Sequence, residues 1–144
     1  MKDLDWSNLS FGYRQTDYNV RCYYRNGKWG EIEVCSDEYL KLHMAATCLH
    51  YGQEAFEGLK AYRCPDGKVR VFRMDENAAR LQSTCRGIMM PEVPTEMFEE
   101  MVKKVVRLNQ EWIPTYESGA TLYIRPLLIG TSAQVGVHPA TECL

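Results

Sequence analysis

The chain is expected to fold as an α+β domain, with a largely antiparallel sheet and helices packed on one face. Short alternating runs come in pairs joined by tight-turn residues, at Asn26-Gly27 and again at Cys64-Pro65-Asp66-Gly67. Two helical stretches, about 76–86 between cap residues and 96–112 with an apolar stripe, are interposed between such runs. A strand-like segment with period-2 alternation then follows at 120–130. Hairpins with helices between them suit a two-layer α+β arrangement.

The totals narrow the function classes. A length of 144 residues suits one domain with a single core. With 45% hydrophobic and 25% charged residues, the composition is that of an ordinary globular protein. A net charge of −2 without a basic stripe or tail argues against a nucleic-acid partner. The opening MKDLDWSNLSF lacks the apolar core of a signal peptide. No apolar run approaches the roughly 20 residues that cross a bilayer, so no membrane partner is expected and the expected location is cytoplasmic. Cys22, Cys35, Cys48, Cys64, Cys85 and Cys143 are widely spaced and form no Cys-x-x-Cys, which reads as free thiols in a reducing compartment. His43, His50 and His138 make no zinc-ligand pattern with them, and no metal site is assigned.

Along the chain, residues 1–16 read as a docked, non-repetitive arm. Residues 17–34 read as a β-hairpin: Val20, Cys22 and Tyr24 alternate with Arg21, Tyr23 and Arg25, Asn26-Gly27 turns, and Trp29, Ile32 and Val34 return. Ser36 or Asp37 is placed to cap a short turn, and residues 43–50 to make a brief helical turn. Strands follow at about 56–63 and 68–72, as an antiparallel pair. Asp75 is the expected N-cap of the first helix and Gly87 its C-terminal cap. Thr95 is expected to cap the second, whose stripe of Met97, Met101, Val105 and Leu108 is widened by Phe98, Val102 and Val106. In 120–130, Ala120, Leu122, Ile124 and Leu128 face one side, while Thr121, Tyr123 and Arg125 face the other. Pro126 marks an edge or a bulge there. The tail from Thr131 reads as a loop followed by the start of a further element.

Three places carry candidate chemistry. Tyr123 and Arg125 share a strand face, where a hydroxyl and a forked guanidinium make a carboxylate receptor; an edge-strand surface pair is the alternative. Arg80, in the second turn of its helix, is either a solvated surface residue or an anion contact. Phe56 and Gly58 share a face in the stretch LHYGQEAFEGLKAYR, where the missing side chain of Gly58 leaves space for a flat ligand or for a packing bulge. There is no nucleophile elbow, Walker loop, dinucleotide fingerprint or His-Glu-x-x-His.

The blocks HYGQEAFEGLKAYR, FRMDENAARL and LYIRPLLIGTSAQVGV occur in an order and spacing that resembles the branched-chain amino-acid aminotransferases, which are fold-type IV pyridoxal-phosphate enzymes. The resemblance runs from about Leu9 to the end. It implies that Arg80 binds the cofactor phosphate and that Phe11, Phe56 and Gly58 wall the pocket. It implies that Tyr123 and Arg125 help to accept the substrate side chain. Tyr51, Val135 and Val137 are then the residues lent to a neighbour's pocket across a homodimer interface. The implied reaction moves the amino group between leucine, isoleucine or valine and 2-oxoglutarate, with amino acids and 2-oxo acids as small-molecule partners.

That chemistry needs a Schiff-base lysine. In the family it stands in a second domain, well beyond the Arg-Pro motif, and none of Lys60, Lys68, Lys103 and Lys104 has its context. Residues 1–144 therefore resemble the small N-terminal domain of a larger enzyme, inactive alone, with weak affinity for free pyridoxal phosphate. Two alternatives are another fold-type IV enzyme (a D-amino-acid aminotransferase or an aminodeoxychorismate lyase) and a non-catalytic binding module.

Overall fold

The structure, a computed structural model, describes residues 2–144, apart from the side chain of Ser7. The hairpin turns at Asn26-Gly27, whose φ angles of 53° and 78° are those a tight reversal needs. Its arms form two ladders. Strand β1 (Asn19–Arg21) pairs with β4 (Glu33–Cys35), and β2 (Tyr24–Arg25) with β3 (Lys28–Trp29), both antiparallel. Arg21 faces Glu33 while Tyr24 faces Trp29, so the return arm carries one residue more: a bulge. The Gly30 N–H donates to the Tyr23 carbonyl there, at 2.8 Å.

A short helix α1 (Thr47–Tyr51) leads into β5 (Glu54–Phe56) and β6 (Leu59–Arg63). The expected strand over 56–63 is thus shorter, and a separate strand precedes it. The expected strand over 120–130 is likewise two, β8 (Leu122–Ile124) and β9 (Leu127–Ile129). Strand β6 pairs with β8 and β5 with β9, while β7 (Val69–Val71) flanks β6 on its other side. The two ladders keep one register: Leu59 faces Ile124 and Phe56 faces Leu127, which puts Glu57 opposite Pro126 and Gly58 opposite Arg125. The break is common to both sides of the ladder because Pro126 has no N–H to give. Its carbonyl still takes the Glu57 N–H, at 2.9 Å.

Both helices pack on one face of these strands. In α2 (Met74–Gly87) the buried side is Ala78, Leu81 and Cys85. In α3 (Thr95–Leu108) it is Phe98, Val102 and Val106, so the widening residues form the centre of the stripe, with Met97 and Val105 at its margin. They meet Ala55, Leu59, Ala61, Ile124 and Leu128 in one core. Ala61 and Ala78 are fully buried, and their small volume lets helix and sheet approach closely.

The expected caps are displaced. Arg73, with φ 45°, precedes the first helix, so Asp75 lies in the first turn, where it accepts from Arg73 Nε at 3.4 Å. Gly87 is the last helical residue, and Met89 takes the positive φ, 56°. Pro94 precedes α3, and the Thr95 hydroxyl instead accepts from Gln82 Nε2 of α2, at 3.1 Å. Helix α3 ends at Leu108, short of residue 112, because buried Asn109 turns its side chain to other work. Its Nδ2 donates to the Val105 and Tyr18 carbonyls at 2.8 and 2.9 Å, and its Oδ1 accepts the Tyr18 N–H at 3.1 Å.

Residues 143–144 pair back onto the domain. Leu144 and Ile129 exchange backbone hydrogen bonds at 3.0 and 2.9 Å, and Cys143 bridges to Tyr24 and Gly130. All six cysteines are free, and burial pushes the Cys143 thiol up to about 12. Among the described residues, no helix is long and apolar enough to cross a membrane, and no group of three His, Cys, Asp or Glu side chains is placed to hold a metal ion.

Candidate functional site

The shared register explains the site. Cross-strand partners lie on the same face, so Phe56, Leu127, Gly58, Arg125, Lys60 and Tyr123 all point away from the helices. On that face the guanidinium of Arg125 lies over the Phe56 ring, 4.3 Å from its centroid. Its Nε and Nη2 donate to the Tyr123 hydroxyl oxygen at 3.1 and 3.0 Å. Phe11, 86% exposed, reaches in from the N-terminal arm and meets the Tyr123 ring edge-on at 5.3 Å. The structure therefore brings Phe11, Phe56, Gly58, Tyr123 and Arg125 into one exposed cluster.

The space beside Gly58 is not vacant. A Cβ there would stand 2.7 Å from the Tyr123 hydroxyl oxygen, so the glycine makes room for the tyrosine and not directly for a flat ligand. Gly58→Ala is expected to tilt the tyrosine ring and break its bonds to Arg125, at a cost of about 1 kcal/mol, since a ring can swing aside. Thermal denaturation together with the Tyr123 ring resonances checks this; an unmoved tyrosine would contradict it.

On the other side of the sheet, alternation places Glu57 between buried Ala55 and Leu59. Its side chain is only 3% exposed. Arg80 Nε donates to Oε1 at 2.8 Å and Arg80 Nη2 to Oε2 at 2.6 Å, while Asn77 Nδ2 also donates to Oε2, at 2.8 Å. Burial pushes the Glu57 carboxyl up; Arg80, Asn77 and the Gly58 N–H outweigh it, leaving the group below its ordinary range. Arg80 is 68% exposed, and its bonds to Glu57 use the Nε/Nη2 edge. The Nη1/Nη2 edge has no protein partner among the described residues. That donor set fits a phosphate.

Arg80 is not in the Phe56–Tyr123–Arg125 cluster; the strand break at Glu57 connects them, with Phe56 outward and Glu57 inward. Tyr51, at the end of α1, and Val135 and Val137, in the 131–140 loop, lie on other segments. Ala46 bridges to Ala133 and the Gln134 N–H donates to the Ala45 carbonyl at 3.1 Å, tying the 131–140 loop to the start of α1. Val135 and Val137 project outward, the latter 94% exposed, and Tyr51 is also exposed.

Curated relatives match this chain along almost its whole length. It is 51% identical over 142 residues to a branched-chain-amino-acid aminotransferase of Haemophilus influenzae, covering 99% of this chain and 41% of the relative. It is 46% identical over 144 residues to the corresponding enzyme of Helicobacter pylori, covering 100% of this chain and 42% of the relative. The chain belongs to the branched-chain amino-acid aminotransferase family. It spans about two fifths of the length of those relatives. No family model matches it. Among solved structures, the T.th. branched-chain amino acid aminotransferase with pyridoxamine 5'-phosphate aligns with a TM-score of 0.63 at 26% identity, over 90% of this chain and 39% of that one. The branched-chain aminotransferase from Escherichia coli aligns with a TM-score of 0.59 at 28% identity, over 89% of this chain and 39% of that one. The α+β architecture of this aminotransferase-family chain is thus that of solved members.

Glu57 and Asn77 escape a reading of the sequence alone. A signal is present: period-2 alternation places Glu57 on the same face as Ala55 and Leu59, where a carboxylate needs a cation or donors. Which cation answers it depends on how α2 lies on the sheet.

Proposed function

We propose that this chain is the N-terminal small domain of a pyridoxal-phosphate-dependent branched-chain aminotransferase. It supplies a phosphate-binding arginine and the side-chain pocket of a transaminase acting on leucine, isoleucine or valine and on 2-oxoglutarate. The observation that carries this reading is the Phe56–Tyr123–Arg125 cluster, in a chain half identical to a named member of that family.

The cluster suits two kinds of side chain. Tyr123 Oη accepts two N–H groups from Arg125, which leaves the phenolic hydrogen to donate outward. With Arg125 Nη1 it offers convergent donors for the γ-carboxylate of glutamate. When a branched aliphatic side chain enters instead, Arg125 still has Tyr123 as an acceptor and Phe56 beneath it, so less polarity is left bare. Phe56 and Leu127, paired across the strands and both exposed, supply an apolar wall. Arg80 holds the cofactor phosphate through its Nη1/Nη2 edge. Pyridoxal phosphate, when bound, supplies the carbonyl and electron sink that transamination requires.

Solved T.th. relatives carry pyridoxamine 5'-phosphate and N-(5'-phosphopyridoxyl)-L-glutamate, which supports the same cofactor here. The proposed assembly is a homodimer in the cytoplasm, with Tyr51, Val135 and Val137 reaching the partner's pocket. Expression of the complete reading frame tests the reading: the product is expected to transfer an amino group from leucine to 2-oxoglutarate with added pyridoxal phosphate. A product without that activity, or a reading frame that encodes no downstream Schiff-base lysine, refutes it.

A further inference from the structure

We propose that Glu57 is a positioning residue for anion capture: braced by Asn77, its carboxylate clamps the Nε/Nη2 edge of Arg80 and presents the Nη1/Nη2 edge to a phosphate monoester. The proposal rests on the reading of Arg80 given above.

An arginine on a helix surface samples many rotamers, and its guanidinium can meet an oxyanion side-on or end-on. Here one of those modes is taken. The side-on edge is held by two short bonds to a carboxylate that is 3% exposed. That carboxylate is confined by burial and by its bonds to Arg80 and Asn77, and its backbone is anchored where the Glu57 N–H is bound to the Pro126 carbonyl at the strand break. Asn77, one helical turn before Arg80, donates to Oε2 and fixes the carboxylate plane. A two-point pair of this kind sets the direction of the remaining N–H groups. The exposed part of Arg80 is thus held in one orientation, although 68% of its side chain is open to solvent.

Charge alone makes the opposite statement. A carboxylate next to Arg80 offsets part of the attraction for an anion, so removing that charge should tighten phosphate binding. Positioning says that removing it weakens binding, and the two accounts therefore differ in sign.

The test uses the 144-residue chain with 15N-labelled arginine, titrated with inorganic phosphate. The Arg80 Nε–Hε resonance is identified by its loss in Arg80→Ala. In the unaltered chain it is expected to be protected from solvent exchange and to shift with phosphate. Glu57→Gln, which keeps the shape and removes the charge, is expected to weaken phosphate binding roughly fivefold and to speed Nε–Hε exchange, as loss of about one net hydrogen bond would. Asn77→Ala leaves the ion pair intact and is expected to weaken binding roughly twofold; it keeps the test open if Glu57→Gln fails to fold. Adding Glu57→Gln to Arg80→Ala should change nothing further. Unchanged or tighter phosphate binding in Glu57→Gln, or in Asn77→Ala where only that variant folds, overturns the role of Glu57 while leaving Arg80 as the anion site. Phosphate binding that survives Arg80→Ala removes the phosphate reading of Arg80, and this proposal with it.

Discussion

For the transaminase proposed above, Arg125→Ala is expected to lower kcat/KM for glutamate and 2-oxoglutarate roughly 10- to 100-fold more than for leucine, the size of a lost hydrogen bond to a charged group. The selectivity follows from the geometry. Arg125 is held over Phe56 and bonded to Tyr123, so its remaining donors suit a carboxylate and not an aliphatic chain. Its removal leaves a γ-carboxylate with the Tyr123 hydroxyl alone, whereas a leucine side chain loses mainly packing against the guanidinium face. Arg125→Lys is not expected to restore the difference, because an ammonium has neither the fork nor the flat face that covers Phe56. Half-reaction kinetics on the complete protein decide the point; equal losses with both substrate classes would refute it.

Arg80→Ala should weaken phosphate binding roughly 10- to 100-fold, and it should also change how stability depends on pH. In the unaltered chain the Glu57 carboxyl is held below its ordinary value of 4.5. A depressed carboxyl contributes stability that is present above the unfolded value and is lost as pH falls through the folded one. Burial is already the largest single influence on Glu57, and without Arg80 only Asn77 and the Gly58 N–H are left to oppose it. The folded value then rises, and the sign reverses: the carboxylate costs stability as pH climbs above the unfolded value. The deficit of Arg80→Ala against the unaltered chain is therefore expected to be largest near pH 7 and to shrink towards pH 4. Denaturant midpoints at the two pH values measure it. A deficit of the same size at both would mean that Arg80 matters to stability through packing alone.

Much of the fold is legible because it depends on near neighbours. Asn26-Gly27 announces its turn through backbone sterics that need no tertiary help. Leu59 and Ala61 announce a buried face by period 2, and α3 its amphipathic character by period 3.6. The caps differ from expectation where distant partners compete for a side chain. The Thr95 hydroxyl serves Gln82, and Asn109 ends α3 early to hold the backbone of Tyr18. The strand break is half legible: Pro126 signals its own defect, but not that Glu57 stands opposite and takes its carbonyl.

The site divides in the same way. The sequence by itself determined the family, the fold class and the residues of the outward cluster, because residue types at fixed spacing survive without coordinates. The space beside Gly58 was readable from the missing side chain; that Tyr123 fills it was not. Only the tertiary structure decided that Arg80 is clamped, by which acid and along which edge. Glu57 and Arg80 lie 23 positions apart, at the break between two strands and on a helix, and the relative placement of sheet and helix is set by the packing of Ala61, Ala78 and Leu81 in the core. A bidentate ion pair depends on that placement to a fraction of an ångström, and no local pattern carries such information.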